Sequence, residues 1–391
     1  MVLTRHSMNT ATILYMTGTG NTARAVKLIA NELSHSGWRV DAFELRRGSE
    51  LPREASTCNF LVLAFPVLAF GMPTLVRTLA RALRGKGRPA AVFATWGGDP
   101  FAALWLASRF LRRKGFRVVS SGGASYPFQW TQMVAPTSQA ELKETIERGD
   151  AEVHGFARDL LGKMSLPSTA QSPHGTPKQG ASPRPTKLLI GLTVSLLYEW
   201  IGRFVLGSLF TADARCKGCG ACTRDCPAQA IRLAGKGTKR RPRWGLRCQG
   251  CNRCINLCPR HAIQTSPVRT GVHLGVNAVL LAALVIACGR TLAALHIPGF
   301  AAIPAVIILC FVFAAYGSRA QVAALEPVLF ALEGVPWFRQ LVGSSWTSRF
   351  SRYRCDGFDP RSTTWSQSPT IGSRVPHFEQ EPPVAPTTLT E

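Results

Sequence analysis

Acidic residues are few in this chain: 22 Asp and Glu stand against 46 Lys and Arg, a formal charge of +24 over 391 residues. A surface so one-sided in sign turns toward anionic partners, which means nucleic acid, anionic membrane or acidic protein. No DNA-binding motif accompanies the charge, so nucleic acid is set aside and membrane and acidic partners are kept. A secretion signal is lacking too. The opening residues MVLTRHSMNTATILYM hold too short an apolar run, with no small-residue cleavage site after it, so the amino terminus is expected in the cytoplasm. Hydrolytic machinery is missing as well: no Ser-His-Asp set and no paired carboxylates stand out. The one Gly-rich loop has no lysine to make it a Walker A motif, and a GxGxxG dinucleotide run is absent.

Cysteine is what the chain does have, and eight of its 12 cysteines fall in one stretch. CKGCGACTRDCP runs from Cys216 to Pro227 and CQGCNRCINLCP from Cys248 to Pro259, each reading Cys-x2-Cys-x2-Cys-x3-Cys-Pro. Zinc knuckles use paired Cys-x2-Cys, two pairs per ion, and do not fit three-plus-one spacing given twice. Eight thiols this close without a secretion signal also argue against disulfides. The spacing is that of [4Fe–4S] binding. Three near cysteines cap three corners of a cube, while the fourth sits on too tight a loop to turn back and reaches the other cube. The expectation is therefore crossed: Cys216, Cys219, Cys222 and Cys258 hold one cluster, and Cys248, Cys251, Cys254 and Cys226 the second. The other four cysteines have no ligand spacing. The block resembles bacterial two-cluster ferredoxins throughout its length, including the apolar AQAI and HAI after each Cys-Pro.

Upstream, residues 9–163 alternate strand and helix. ATILYM, RVDAFEL, NFLVLAF, PAAVFAT and FRVVSS read as five strands with near-continuous apolar runs, separated by helical patterns, which implies a doubly wound parallel sheet in the order 2-1-3-4-5. The first strand ends in Thr17-Gly18-Thr19-Gly20-Asn21-Thr22, directly before a helix. Amides at a helix N-terminus with three threonine hydroxyls make an anion site. Two later loops end strands on the same sheet edge, where ligands of open α/β sheets bind. They are Pro66-Val67-Leu68-Ala69-Phe70-Gly71, and Thr95-Trp96-Gly97-Gly98, in which Trp96 is the candidate for ring contact. TGTGNT resembles the flavodoxin phosphate loop, and the resemblance implies FMN, with its 5′-phosphate on that loop and its ring between the other two.

The remainder reads by composition. Residues 164–186 are Pro, Ser and Gly rich and predict a flexible linker that lets the flavodoxin-like part move. Residues 187–210 predict an amphipathic helix at a membrane interface or on the cluster domain, with Glu199 and Arg203 able to pair. The cluster domain occupies 211–269, and its 232–247 insert carries seven basic residues and no acidic one. Within 270–318, residues 273–289 and 297–317 are apolar and long enough for a transmembrane hairpin with both flanks cytoplasmic. Residues 319–360 form a basic segment without an assigned role, its helix broken near Pro327, and 361–391 a disordered tail.

Over residues 11–269 the order of motifs resembles a family of flavodoxin–ferredoxin fusions. The resemblance implies electron transfer between FMN, which exchanges two electrons or one, and two [4Fe–4S] clusters that carry one each. With the hairpin, the expectation is an electron-transfer protein of the cytoplasmic membrane, its cofactors facing the cytoplasm and a redox protein, acidic on charge grounds, as its partner. Two alternatives stand beside it: a flavin-dependent reductase of a small substrate fed through the clusters, and a non-enzymatic iron–sulfur redox sensor or assembly factor.

Overall fold

The computed structural model describes residues 9–135, 138–165, 183–235, 237, 240–294, 299–362 and 364–367. Five strands form the parallel sheet read from the sequence: β1 (Thr10–Tyr15), β2 (Arg39–Glu44), β3 (Phe60–Pro66), β4 (Pro89–Trp96) and β5 (Arg117–Ser125), in the order β2-β1-β3-β4-β5. The helices between them are α1 (Asn21–His35), α2 (Glu54–Thr57), α3 (Thr74–Leu79) and α4 (Ala103–Arg113), and α5 (Gln139–Ser165) follows the fifth strand. This is a flavodoxin-like doubly wound sheet. Its strands are apolar nearly throughout because helices cover both faces. On one face Ala25, Val26, Ile29 and Leu33 of α1 meet Ile13, Val62 and Phe93.

Two features of the sheet depart from the sequence reading. A sixth strand, β10 (Thr364–Gln367), pairs antiparallel with β2 and covers an edge that would otherwise leave backbone groups unpaired. The tail expected to be disordered from 361 thus contributes four ordered residues, and its remainder from 368 lies outside the described residues. Tyr353, Cys355 and Phe358, from the segment without an assigned role, are buried in the core against α1 and β1.

The chain resumes at Pro183, so most of the expected linker, 166–182, lies outside the described residues. A continuous helix follows: α6 (Pro185–Leu197), a π-helical turn (Tyr198–Gly202) and α7 (Arg203–Ser208). Glu199 does not pair with the Arg203 side chain. Its carboxylate accepts from Thr74 Oγ1 at 2.7 Å and from Arg77, while Arg203 Nε donates to the Glu199 carbonyl. The wide π turn shifts the four-residue phase on which the expected pair depended.

The region of the two cysteine motifs comprises β6 (Phe210–Ala212), α8 (Ala221–Arg224), β7 (Ile231–Ala234), β8 (Arg241–Trp244), α9 (Arg253–Asn256) and β9 (Ile263–Thr265); β6 pairs with β9 and β7 with β8, each antiparallel. It is packed onto the sheet rather than swinging from it. Phe210, Ile231, Trp244 and Ile255 belong to the same buried cluster as Leu14, Leu63 and Phe65. A linker's composition reports only its own stiffness, so the interface that joins the two parts was not legible there.

Beyond it α10 (Pro267–Ala294) packs against α11 (Gly299–Leu332), and α12 (Pro336–Gly343) follows. The expected break at Pro327 does not occur: α11 runs through it. Proline removes one backbone bond there, and the segment is fixed by Glu326 and Glu333, both bound to the buried Arg269 at 2.6 and 2.8 Å. By length and composition, Pro185–Ser208 and Pro267–Thr291 are apolar enough to cross a membrane. Residues 297–298 of the second expected span lie outside the described residues.

Candidate functional site

The eight motif cysteines ring two neighbouring cavities. Cys216, Cys219, Cys222 and Cys258 line one, with Leu233, Pro242 and Ile263. Cys226, Cys248, Cys251 and Cys254 line the other, with Phe210, Ile231 and Trp244, and Cys222 borders it as well. Among the described residues no three Cys, His, Asp or Glu side chains converge on a point as ligands of a single ion would. The thiols surround a volume instead. The two motifs repeat in detail: Ala230 N–H points to Cys226 Sγ at 3.4 Å, and Ala262 N–H to Cys258 Sγ at 3.3 Å. Such N–H···S contacts orient a ligand and tune a cluster's potential. Burial, with the neighbouring thiols, pushes Cys222 and Cys248 up to about 12 and holds Cys254 well above the ordinary thiol range. Burial of this kind favours the protonated thiol, and a metal that replaces the proton converts the thiol to a ligand.

A separate cavity of about 690 Å³ lies at the carboxyl ends of the sheet strands. Thr17, Gly18, Asn21 and Thr22 line one part of it; Pro66, Val67, Leu68, Ala69 and Phe70 another; Thr95, Trp96, Gly97, Gly98 and Asp99 a third. Three sequence-predicted residues do not line it. Gly71 lies against Ser195, whose Oγ would stand 2.2 Å from any Cβ placed there. Thr19 and Gly20 meet the C-terminal segment through their backbone: the Thr19 carbonyl accepts from Cys355 N–H at 2.9 Å, and a Cβ on Gly20 would strike Cys355 and Phe358.

The loop before α1 is built for an anion. Gly20, at φ 116°, turns the chain into the helix in a conformation that side chains rarely adopt, and no side chain caps the first turn. Thr19 Oγ1 is buried without a hydrogen-bond partner. Thr17 Oγ1 accepts from Gly20 N–H at 3.2 Å, which leaves its proton free to donate. Thr22 and Thr95 hydroxyls lie 2.7 Å apart and join two of the loops. Asn21 is fixed by donation to the Pro127 carbonyl and by acceptance from Tyr353 Oη.

Three sets of lining residues were not read from the sequence. Pro127, Phe128, Gln129 and Trp130 follow β5; their signal was an aromatic-rich stretch at one more strand's carboxyl end. Val194 and Leu197 of α6 and Tyr198 and Ile201 of the π-helical turn line another side. Gly250, Cys251 and Asn252 form a wall shared with the second cysteine motif. Tyr198 Oη donates to the Gln249 carbonyl at 2.5 Å and joins those last two sets. The fit is close enough to restrict side chains, since a Cβ on Gly18 would lie 2.8 Å from the Cys251 carbonyl oxygen. The junction is locked by Arg253, 2 % exposed, whose guanidinium donates to the carbonyls of Thr17, Gly18 and Asp225 and to the Glu44 carboxylate.

Residues 215–270 match the family model described as a 4Fe-4S dicluster domain. No curated protein matches the chain. Among solved structures, a flavodiiron core from Synechocystis is similar at 17% identity and a TM-score of 0.27, covering 40% of this chain, which spans 38% of that one. A flavodoxin from the domain Archaea is similar at 17% identity and 0.26, covering 38% of this chain and 98% of its own. A flavodoxin from Streptococcus pneumonia is similar at 18% and 0.27, covering 37% and 98%. With the strand order taken from the structure itself and the cluster domain from the matched model, the chain is a flavodoxin-like α/β domain joined to a 4Fe–4S dicluster domain.

Proposed function

We propose that this protein is a membrane-anchored electron-transfer protein that passes electrons between FMN, held in the 690 Å³ cavity, and two [4Fe–4S] clusters. One cluster is held by Cys216, Cys219, Cys222 and Cys258, the other by Cys248, Cys251, Cys254 and Cys226. The observation that carries the reading is the shared wall: Gly250, Cys251 and Asn252 border the cavity and belong to the second motif. Bound there, FMN supplies the exchange of two electrons or one, and each cluster the exchange of one. The protein's part is binding and orientation. Thr19 Oγ1, without a partner, and the uncapped start of α1 suit the phosphate. Apolar side chains on α6, together with Phe128 and Trp130, suit the ring and keep water from it. Arg253 fixes the spacing between the two sites.

Support for membrane association comes from two apolar surfaces. Leu274, Val279, Leu281, Val285 and Ile286 of α10 are exposed, as are Leu189, Ile190 and Leu196 of α6 and Trp200 of the π-helical turn. The π-helical turn after α6 is bound through Glu199 to Arg77 and through Tyr198 to Gln249, so this helix lies along the protein at the membrane surface, and α10 with α11 makes the span. The cofactor domains then face the cytoplasm.

The test is anaerobic purification with counts of metal, sulfide and flavin, followed by reduction of the clusters and observation of the flavin band. About eight irons and eight sulfides per chain, with one FMN, are expected. Electrons should then distribute between clusters and flavin within one molecule, at a rate independent of protein concentration. A fully loaded protein whose flavin stays oxidised while both clusters are reduced at a lower potential would sink the reading.

A further inference from the structure

The two cavities of the cysteine motifs are not equally accessible. Cys248 is buried and Cys251 lies at the flavin-side wall, whereas Cys219 is the one exposed thiol among the eight. An open groove of about 710 Å³ surrounds it, lined by Arg215, Lys217, Pro259 and Arg260. Arg215 is held by Asp213 at 2.6 Å, while Lys217 and Arg260 form no salt bridge among the described residues. Arg240 adds a further exposed cation at the same loop, its carbonyl oxygen 2.7 Å from a Cβ placed on Gly218. The groove is thus cationic and open, with no carboxylate in its lining. At the other end, α6 and the π-helical turn after it line one side of the cavity of the sheet.

We infer that this groove is the docking site of an acidic one-electron carrier protein, which exchanges electrons with the cluster on Cys216, Cys219, Cys222 and Cys258. The inference rests on the cluster assignment proposed above. Charge complementarity names the occupant: an anionic patch around the partner's own redox centre meets Lys217, Arg260 and Arg240 and brings that centre onto Cys219. The step moves one electron. The reduced partner's centre is oxidised by one, the cluster is reduced by one, and no bond or proton is transferred. An anionic bilayer would meet the same charge, but it has no redox centre to bring to the exposed Cys219, and the apolar helices already supply membrane attachment. The order of sites, from groove to first cluster to second cluster to flavin cavity, makes the groove the port and the flavin the far end.

The test uses the full chain with clusters and flavin loaded, and a reduced acidic [2Fe–2S] ferredoxin as the probe. Cluster bleaching in stopped flow gives the second-order rate across a salt series. The double variant Lys217→Glu with Arg260→Glu should slow the reaction at least about tenfold at low ionic strength, with the curves converging near 0.5 M salt, where the screening length falls to a few ångströms. Lys27→Glu on α1, away from the groove, should leave the rate unchanged. Photoreduction by an uncharged deazaflavin is the control for cluster integrity: equal cluster reduction in variant and wild type shows that only docking was altered. Clusters that reduce while the flavin does not would count against the electron-transfer reading and not against docking. Identical rates in the charge-reversed and wild-type proteins at low salt would overturn the docking site. So would an unchanged ferredoxin rate together with loss of binding to vesicles containing anionic phosphatidylserine, which would assign the groove to the bilayer.

Discussion

Replacing Arg253 with methionine tests whether the two domains act as one body. The guanidinium uses four of its five N–H donors: Nε to the Gly18 carbonyl at 2.9 Å, Nη1 to Asp225 at 2.9 Å, and Nη2 to Thr17 at 2.8 Å and to Glu44. The Phe358 ring lies 5.4 Å from its Cζ. Methionine fills much of the volume but leaves Glu44 buried without its main partner and three carbonyls without donors. Breaking a buried ion pair from one side costs about 3–5 kcal/mol, and each unsatisfied buried group about 1–3. These terms overlap, and Arg46 still reaches Glu44 at 3.4 Å, so a loss of about 3–5 kcal/mol is expected in all. That is a large part of an ordinary domain's stability of about 5–15 kcal/mol. The sheet keeps its own core between α1 and α5, however, so the loss should fall on the junction.

Anaerobic calorimetry of the loaded protein should therefore show two transitions where the wild type is expected to show one, and electron transfer between clusters and flavin should slow while both remain bound. Arg253→Lys, a point charge without the planar fork, should fall between. Adding Glu44→Gln to Arg253→Met removes the orphaned charge and should recover more than about 1 kcal/mol, the mark of a directly coupled pair. A methionine variant that melts and transfers electrons as the wild type does would refute the reasoning.

Replacing Cys258 with serine should remove the spectroscopic signature of the cluster on Cys216, Cys219 and Cys222 and spare the one on Cys248, Cys251 and Cys254; loss of the second alone would reverse the ligand assignment. Changing Thr17 and Thr19 together to alanine removes two donors to a charged group, each worth about 1.5–3 kcal/mol, so FMN affinity measured by fluorescence quenching should fall at least about 100-fold. Unchanged affinity would put the phosphate elsewhere. The intact protein should stay with membranes through a carbonate wash, and deletion of residues 270–318 should release a chain that still holds both clusters. Release of the intact protein by salt alone would exclude the span.

What the sequence shows and what it conceals divide along physical lines. Strands such as Phe60–Pro66 are apolar through their whole length because both faces are covered, and that periodicity is local. The cysteine spacing is local too, since three ligands of one cluster must come from one turn of chain. The junction has no such signature. Arg253 is a spacer between two cysteines, and Glu44, 209 positions away, ends an ordinary strand; read singly, each is a solvated charge. Their burial exists only once the domains meet, and burial of charge is tolerated only because they meet. The same holds for Tyr353, a polar aromatic in a basic segment, which becomes part of the cavity's support by reaching Asn21 across 332 positions. Gly18 is the one position where the junction left a mark in the motif itself. In a phosphate loop read alone it is one more flexible residue; in the folded chain it is glycine because the Cys251 carbonyl occupies the place of its side chain. The loop that would hold the flavin is thus shaped by the cluster domain packed against it.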